Sequence, residues 1–163
     1  EDDCEDELDY TPAEVAVVEA ATRLLAKTIG CIKHTLFIAT IVCDTLSTAN
    51  STAAPSAEAG ASGSASGVTA SPEAVQYSQR WVAQLAHLTQ LLNKDALDLG
   101  AELYPPFESD LGKIEANFDT LRAHCLDYLR LVDVEALRAL QTAEHAAKIA
   151  ELSAEVTACT LSI

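Results

Sequence analysis

One periodicity constrains this chain more than any other feature. Val18, Ala21, Leu25, Thr28, Ile32, Leu36, Ala39, Cys43 and Leu46 recur at steps of three and four, the spacing that lines side chains along one face of an α-helix. The start of that run is marked. In Thr11-Pro12-Ala13-Glu14, Thr11 can cap, Pro12 suits the first helical position and Glu14 completes a capping box. The pattern predicts one amphipathic helix of roughly 35 residues, about 50 Å long at 1.5 Å per residue, locally weakened by Gly30.

Three further stripes follow. Ser71-Pro72-Glu73 repeats the same start, and Val75, Ser78, Val82, Leu85, Leu88 or Thr89, Leu92, Ala96, Leu99 and Leu103 trace a second helix. Tyr104-Pro105-Pro106 interrupts it, because two successive prolines cannot continue a helix undisturbed. Phe107, Leu111, Ile114, Phe118, Leu121, Cys125, Tyr128 and Val132 form a near-regular heptad seam for the third, with Pro106 able to serve as its first residue. Asp133 is expected to cap a fourth helix running to the C-terminus, with Leu137, Leu140, Ala147, Ala150 or Ile149, Ala154 and Leu161 on its face. No strand alternation or hairpin signal competes. The expected fold is all-α: an antiparallel, up-down-up-down bundle of four long helices. Tyr104, Pro105, Pro106 and Phe107 are read as its structural pivot between the second and third helices.

Two segments stand outside this pattern. Residues 1–9 hold seven acids, Glu1, Asp2, Asp3, Glu5, Asp6, Glu7 and Asp9, and no base, so residues 1–10 are expected to form a solvated acidic arm and residues 11–163 the bundle. Residues 47–70 are Ser, Thr, Ala, Gly and Pro with little else. They have too little apolar surface to offset their ordering entropy and are expected to be a disordered, flexible linker. With 163 residues, the chain has room for one domain with a real core. With no Met at all, it reads as a piece of a longer protein.

Charge removes whole classes of partner. The net charge is −15, from 25 acids against 10 bases, and both nucleic acid and anionic membranes demand clustered cations. The most apolar stretch, residues 34–43, is about half of the ~20 residues that cross a bilayer, and the N-terminal residues lack the basic and apolar regions of a signal peptide. Cys4, Cys31, Cys43, Cys125 and Cys159 are widely spaced with no C-x-x-C, which fits a reducing, intracellular compartment and buried, inert thiols.

Chemistry is sparsely written. None of His34, His87, His124 or His145 follows a Glu by three residues, so the di-metal carboxylate pattern is absent. Cys31 with His34, and His124 with Cys125, are two ligand pairs from which a zinc site could be assembled. His87 and His145 could accept a phosphoryl group, but neither lies in a run of Lys or Arg. No phosphate-binding glycine loop or nucleophile elbow occurs. The residues therefore predict no catalytic, cofactor or metal site, and a non-enzymatic protein. The acidic arm also stands where a DNA-binding helix-loop-helix would carry basic residues. It is instead a candidate partner-binding arm.

Two blocks carry a resemblance: Tyr10-Thr11-Pro12-Ala13-Glu14 leading into Leu24-Leu25, and Asp98-Leu99-Gly100-Ala101-Glu102-Leu103-Tyr104-Pro105-Pro106. Together they resemble the C-terminal half of the cyclin-D-binding protein family, with residues 47–70 as an insertion. The resemblance implies an all-helical, non-enzymatic regulator, helix-loop-helix-like but without a basic region. It would restrain cell-cycle progression or transcription by binding a D-type cyclin or a helix-loop-helix transcription factor, in nucleus and cytoplasm. Long Ala-rich helices equally suit an adaptor of the vinculin or talin kind, binding cytoskeletal or signalling partners.

Overall fold

The computed structural model describes residues 10–51, 72–105, 107, 111–133 and 143–161. Four α-helices make up the fold: α1 (Pro12–Ser51), α2 (Pro72–Glu102), α3 (Leu111–Val132) and α4 (Ala143–Ala158). No strand occurs among the described residues, and the all-α bundle expected from the stripes is what they form. No described helix is long and apolar enough to cross a membrane.

Contacts along the helices give the topology. Tyr10, just before α1, bonds the Leu103 carbonyl at the end of α2. Trp81 Nε1, early in α2, donates to the Leu131 carbonyl late in α3 at 2.9 Å, while Lys113 early in α3 pairs with Glu102 late in α2. Between α1 and α4, Lys27 meets Glu155 at 2.7 Å and the His34 and His145 rings lie 5.2 Å apart. Each sequential neighbour thus runs antiparallel, up-down-up-down.

The core gathers one side of each helix. From α3 come Ile114, Phe118, Leu121, Cys125, Tyr128, Leu129 and Val132, all buried, with Leu111 packed at their edge. The heptad seam read from the sequence is therefore the inner face of α3. Phe107, its first member, is buried but precedes the helix. Asp133 ends α3: its N–H donates to the Leu129 carbonyl at 3.0 Å. Its expected capping role toward a fourth helix lies outside the described residues, as do Leu137 and Leu140.

Elsewhere the inner face is rotated from the expected stripe. In α1 the core positions are Val17, Ala20, Ala21, Leu24, Thr28, Cys31, Thr35, Ile38 and Val42. Val18, Leu25, Ile32 and Ala39 sit at its edge, and Leu36 and Cys43 are exposed. The cause is that α1 is apolar around most of its circumference, so two stripes fit the same period. In α2, Trp81 enters the core and Val82 does not, because the larger ring buries more area. In α4, Ile149, Leu152 and Val156 are inside, while Ala147, Ala150 and Ala154 are exposed. That helix stops at Ala158 instead of running to the C-terminus. At the other boundary α1 continues to Ser51, so residues 47–51 of the expected linker are helical, since no Gly or Pro occurs between residue 46 and Pro55. Residues 1–9 and 52–71 lie outside the described residues.

Gly30 stands where α1 crosses α4. A Cβ there would lie 3.5 Å from Leu152 Cδ2, an ordinary van der Waals contact. Gly30→Ala should therefore gain helix propensity without strain, stabilising the fold by about 0.5–1 kcal/mol. The corresponding rise in Tm is about 1–4 °C, measurable by thermal melting followed by circular dichroism.

Candidate functional site

The N-terminal block and the Tyr-Pro-Pro corner meet in space. Thr11 and Glu14 form the capping box that their spacing predicts: the Glu14 N–H donates to Thr11 Oγ1 at 3.3 Å, and the Thr11 N–H donates to Glu14 Oε2 at 2.8 Å. The second carboxylate oxygen, Oε1, accepts the Phe107 N–H at 3.1 Å. Tyr10 completes the junction, its hydroxyl donating to the Leu103 carbonyl at 3.1 Å and its ring lying 6.2 Å from that of Phe107. One carboxylate thus caps α1 and fastens the α2–α3 connection. These two backbone bonds hold the Glu14 carboxyl below its ordinary pKa, outweighing its burial.

Of the four corner residues, Phe107 is buried and Tyr104 is 76 % exposed. Pro105 lies in the bend between them. Pro106 falls outside the described residues. So do the arm residues Glu1, Asp2, Asp3, Glu5, Asp6, Glu7 and Asp9. The sequence places Phe107 at the corner but carries no sign that its N–H would be taken by Glu14, which is 93 positions away.

The two Cys/His pairs meet through their thiols but not through their imidazoles. Cys31 and Cys125 are both buried in the core, with Thr28 Oγ1 3.2 Å from Cys125 Sγ. Contact with Cys125 and burial push the Cys31 thiol up, keeping it protonated. His34 turns away toward α4, where its ring meets His145 and its Nε2 atom is enclosed without a hydrogen-bond partner. Burial lowers its pKa. His124 instead pairs with the buried Asp95 of α2, Nδ1 to Oδ2 at 2.5 Å. No group of three or more metal-ligating side chains occurs among the described residues. His87 is exposed on α2, and His145 is half-buried against Phe37, ring centroids 4.9 Å apart.

What remains is a surface feature. An open cleft of about 720 Å³ runs between α3 and α4. Leu129, Ile149 and the small residues Ala146, Ala150 and Ala154 line it, with Arg130 and Asp133 at its edge. Ser153, Thr157 and Ala158 complete the α4 wall, whose mostly small side chains let a helix backbone approach closely. The Ala content of α4 was the sequence signal for such a close approach. Its position opposite Leu129 was not, because it depends on the antiparallel seating of α4.

Comparison with protein-family models, curated proteins and solved structures finds no match for this chain.

Replacing Glu14 by Gln leaves one acceptor oxygen where two N–H groups need partners. The variant should melt at lower temperature than the parent at neutral pH. Because the folded carboxyl lies below its ordinary value, the stability it contributes is full above the unfolded pKa of about 4.3. That contribution is lost as pH falls through the folded value. The gap in Tm between parent and Glu14→Gln should therefore narrow below about pH 4, as measured by melting curves across pH. Phe107→Ala should cost about 3–5 kcal/mol, the range for a fully buried aromatic, in urea denaturation.

Proposed function

We propose that this chain is a protein-interaction module of a non-enzymatic regulator, resembling the cyclin-D-binding protein family and acting in the nucleus and cytoplasm. The observation that carries the reading is the α3–α4 cleft. It is open and mostly apolar, with Arg130 and Asp133 as two opposite charges in its lining and no group of three or more metal-ligating side chains among the described residues. Such a surface suits an amphipathic helix laid lengthwise, its anchors spaced three and four residues apart.

The family part of the proposal draws support from the clasp. The two sequence blocks that resemble the family are far apart in the chain, yet they touch through Tyr10 with Leu103 and Glu14 with Phe107. Paired motifs of this kind maintain a bundle, leaving its outer faces to bind. The net charge of −15 favours a protein partner over nucleic acid, through repulsion of phosphates. A D-type cyclin or a helix-loop-helix transcription factor is the proposed partner class, with the acidic residues 1–9 as a second point of attachment to basic surface on that partner.

Titration of the purified chain with a D-type cyclin in a calorimeter tests this. Ala150 is exposed in the cleft, so Ala150→Arg should leave the far-ultraviolet dichroism unchanged while weakening binding at least tenfold, and deletion of residues 1–9 should weaken it further and make it less salt-dependent. Failure of the parent chain to bind would overturn the cyclin reading. Binding unchanged by Ala150→Arg would overturn the cleft as the surface used.

A further inference from the structure

The outer face of α1 carries a second apolar stripe that the bundle does not use. Val15, Thr22, Ile29, Leu36 and Cys43 follow one another at seven-residue steps and are all exposed. Ile29 and Leu36 are each 53 % exposed and Phe37 beside them 52 %. Val18, Leu25, Ile32 and Ala39 run parallel at the edge of the core, also seven apart and partly buried. Together they are the a and d positions of a coiled-coil seam extending over four heptads. Its outer flank is a third seven-residue line, Glu19, Ala26 and Lys33, all exposed. On that flank the only charges are one acid and one base, and neither has an ion-pair partner among the described residues.

These two charges choose the occupant. Glu19 and Lys33 stand seven residues to either side of Ala26. A two-fold axis through Ala26, with α1 antiparallel to its copy, sets Glu19 of each chain against Lys33 of the other, two opposite-charge contacts at once. Seating a against d in this antiparallel arrangement places Val15 beside Ala39, Ile29 beside Leu25 and Leu36 beside Val18 of the copy. In a parallel pair the two copies' Glu19 and Lys33 would lie on opposite flanks of the seam, and neither would meet an opposite charge. An isologous contact of this kind closes on itself as a C2 dimer.

We propose that the exposed face of α1 is a self-association surface on which two copies of this chain pair antiparallel about Ala26. The contact lies on a different helix from the α3–α4 cleft and does not depend on what that cleft binds. Exposed ion pairs contribute little affinity, so Ile29 and Leu36 supply the binding and the two charges set the orientation. One helix pair falls at the small end of specific interfaces, below about 1,200 Å² in total, which sets the expected Kd in the micromolar to sub-millimolar range.

Sedimentation equilibrium of the full chain tests the proposal, with dichroism confirming that each variant remains helical. Across that concentration range the parent should approach twice its 17.3 kDa chain mass. Ile29→Glu with Leu36→Glu, both at exposed positions, should raise Kd at least tenfold. Glu19→Lys alone and Lys33→Glu alone should each raise it several-fold, and combining them should restore the parent value, because the swapped charges again face their opposites. A parent chain that stays monomeric throughout would overturn the proposal and leave the face to a different protein. A dimer indifferent to Ile29→Glu with Leu36→Glu, or unrestored by the charge swap, would overturn it too.

Discussion

The Glu14 carboxylate holds this structure at the point where its beginning and its middle meet. A helix start leaves N–H groups without partners, and the usual remedy is local: a hydroxyl for one, a carboxylate for another. Here the carboxylate has an oxygen to spare, and that oxygen takes the N–H of Phe107. The side chain of Phe107 lies in the core beneath, tilted against Tyr10. Orientation of the first helix relative to the α2–α3 connection follows from this bond pair. Helix propensity alone would form α1 without saying where its N-terminus must lie.

A second set of polar contacts works inside the bundle without ion pairing. Thr28 and Thr35 are buried on α1, each donating its hydroxyl back to the carbonyl four residues earlier, at 2.9 Å. The Tyr128 hydroxyl lies 3.3 Å from that of Thr89 on α2, and burial raises its pKa. Every one of these groups has a partner close by, so the core tolerates hydroxyls that would otherwise be costly. The half-exposed Lys27–Glu155 contact adds little by comparison.

How much of this was legible depended on how one-sided each helix is. In α3 the apolar positions stand among Lys113, Glu115, Asp119, Arg122, Asp127 and Arg130, so the inner face could be read residue by residue. α1 has no comparable charged face between Lys33 and Asp44. Period alone could not choose between Leu36 and Thr35, and the buried residue is the polar one. Trp81 was overlooked beside Val82 because a stripe counts positions and ignores size. The pairing of Asp95 with His124 was out of reach altogether, since it requires the register of α2 against α3. Both clasp blocks were visible as helix punctuation. Their contact with each other was not, because a shared acceptor leaves no trace in spacing.

The burial of Cys31 and Cys125 has a consequence for observing the molecule at work. Both are fully enclosed where α1 faces α3, whereas Cys43 is exposed on the outer side of α1. A thiol reagent therefore meets Cys43 at once, and reaches Cys31 and Cys125 only when the bundle breathes. Their slow modification is a built-in clock for the parting of α1 from α3, read without introducing any label into the chain.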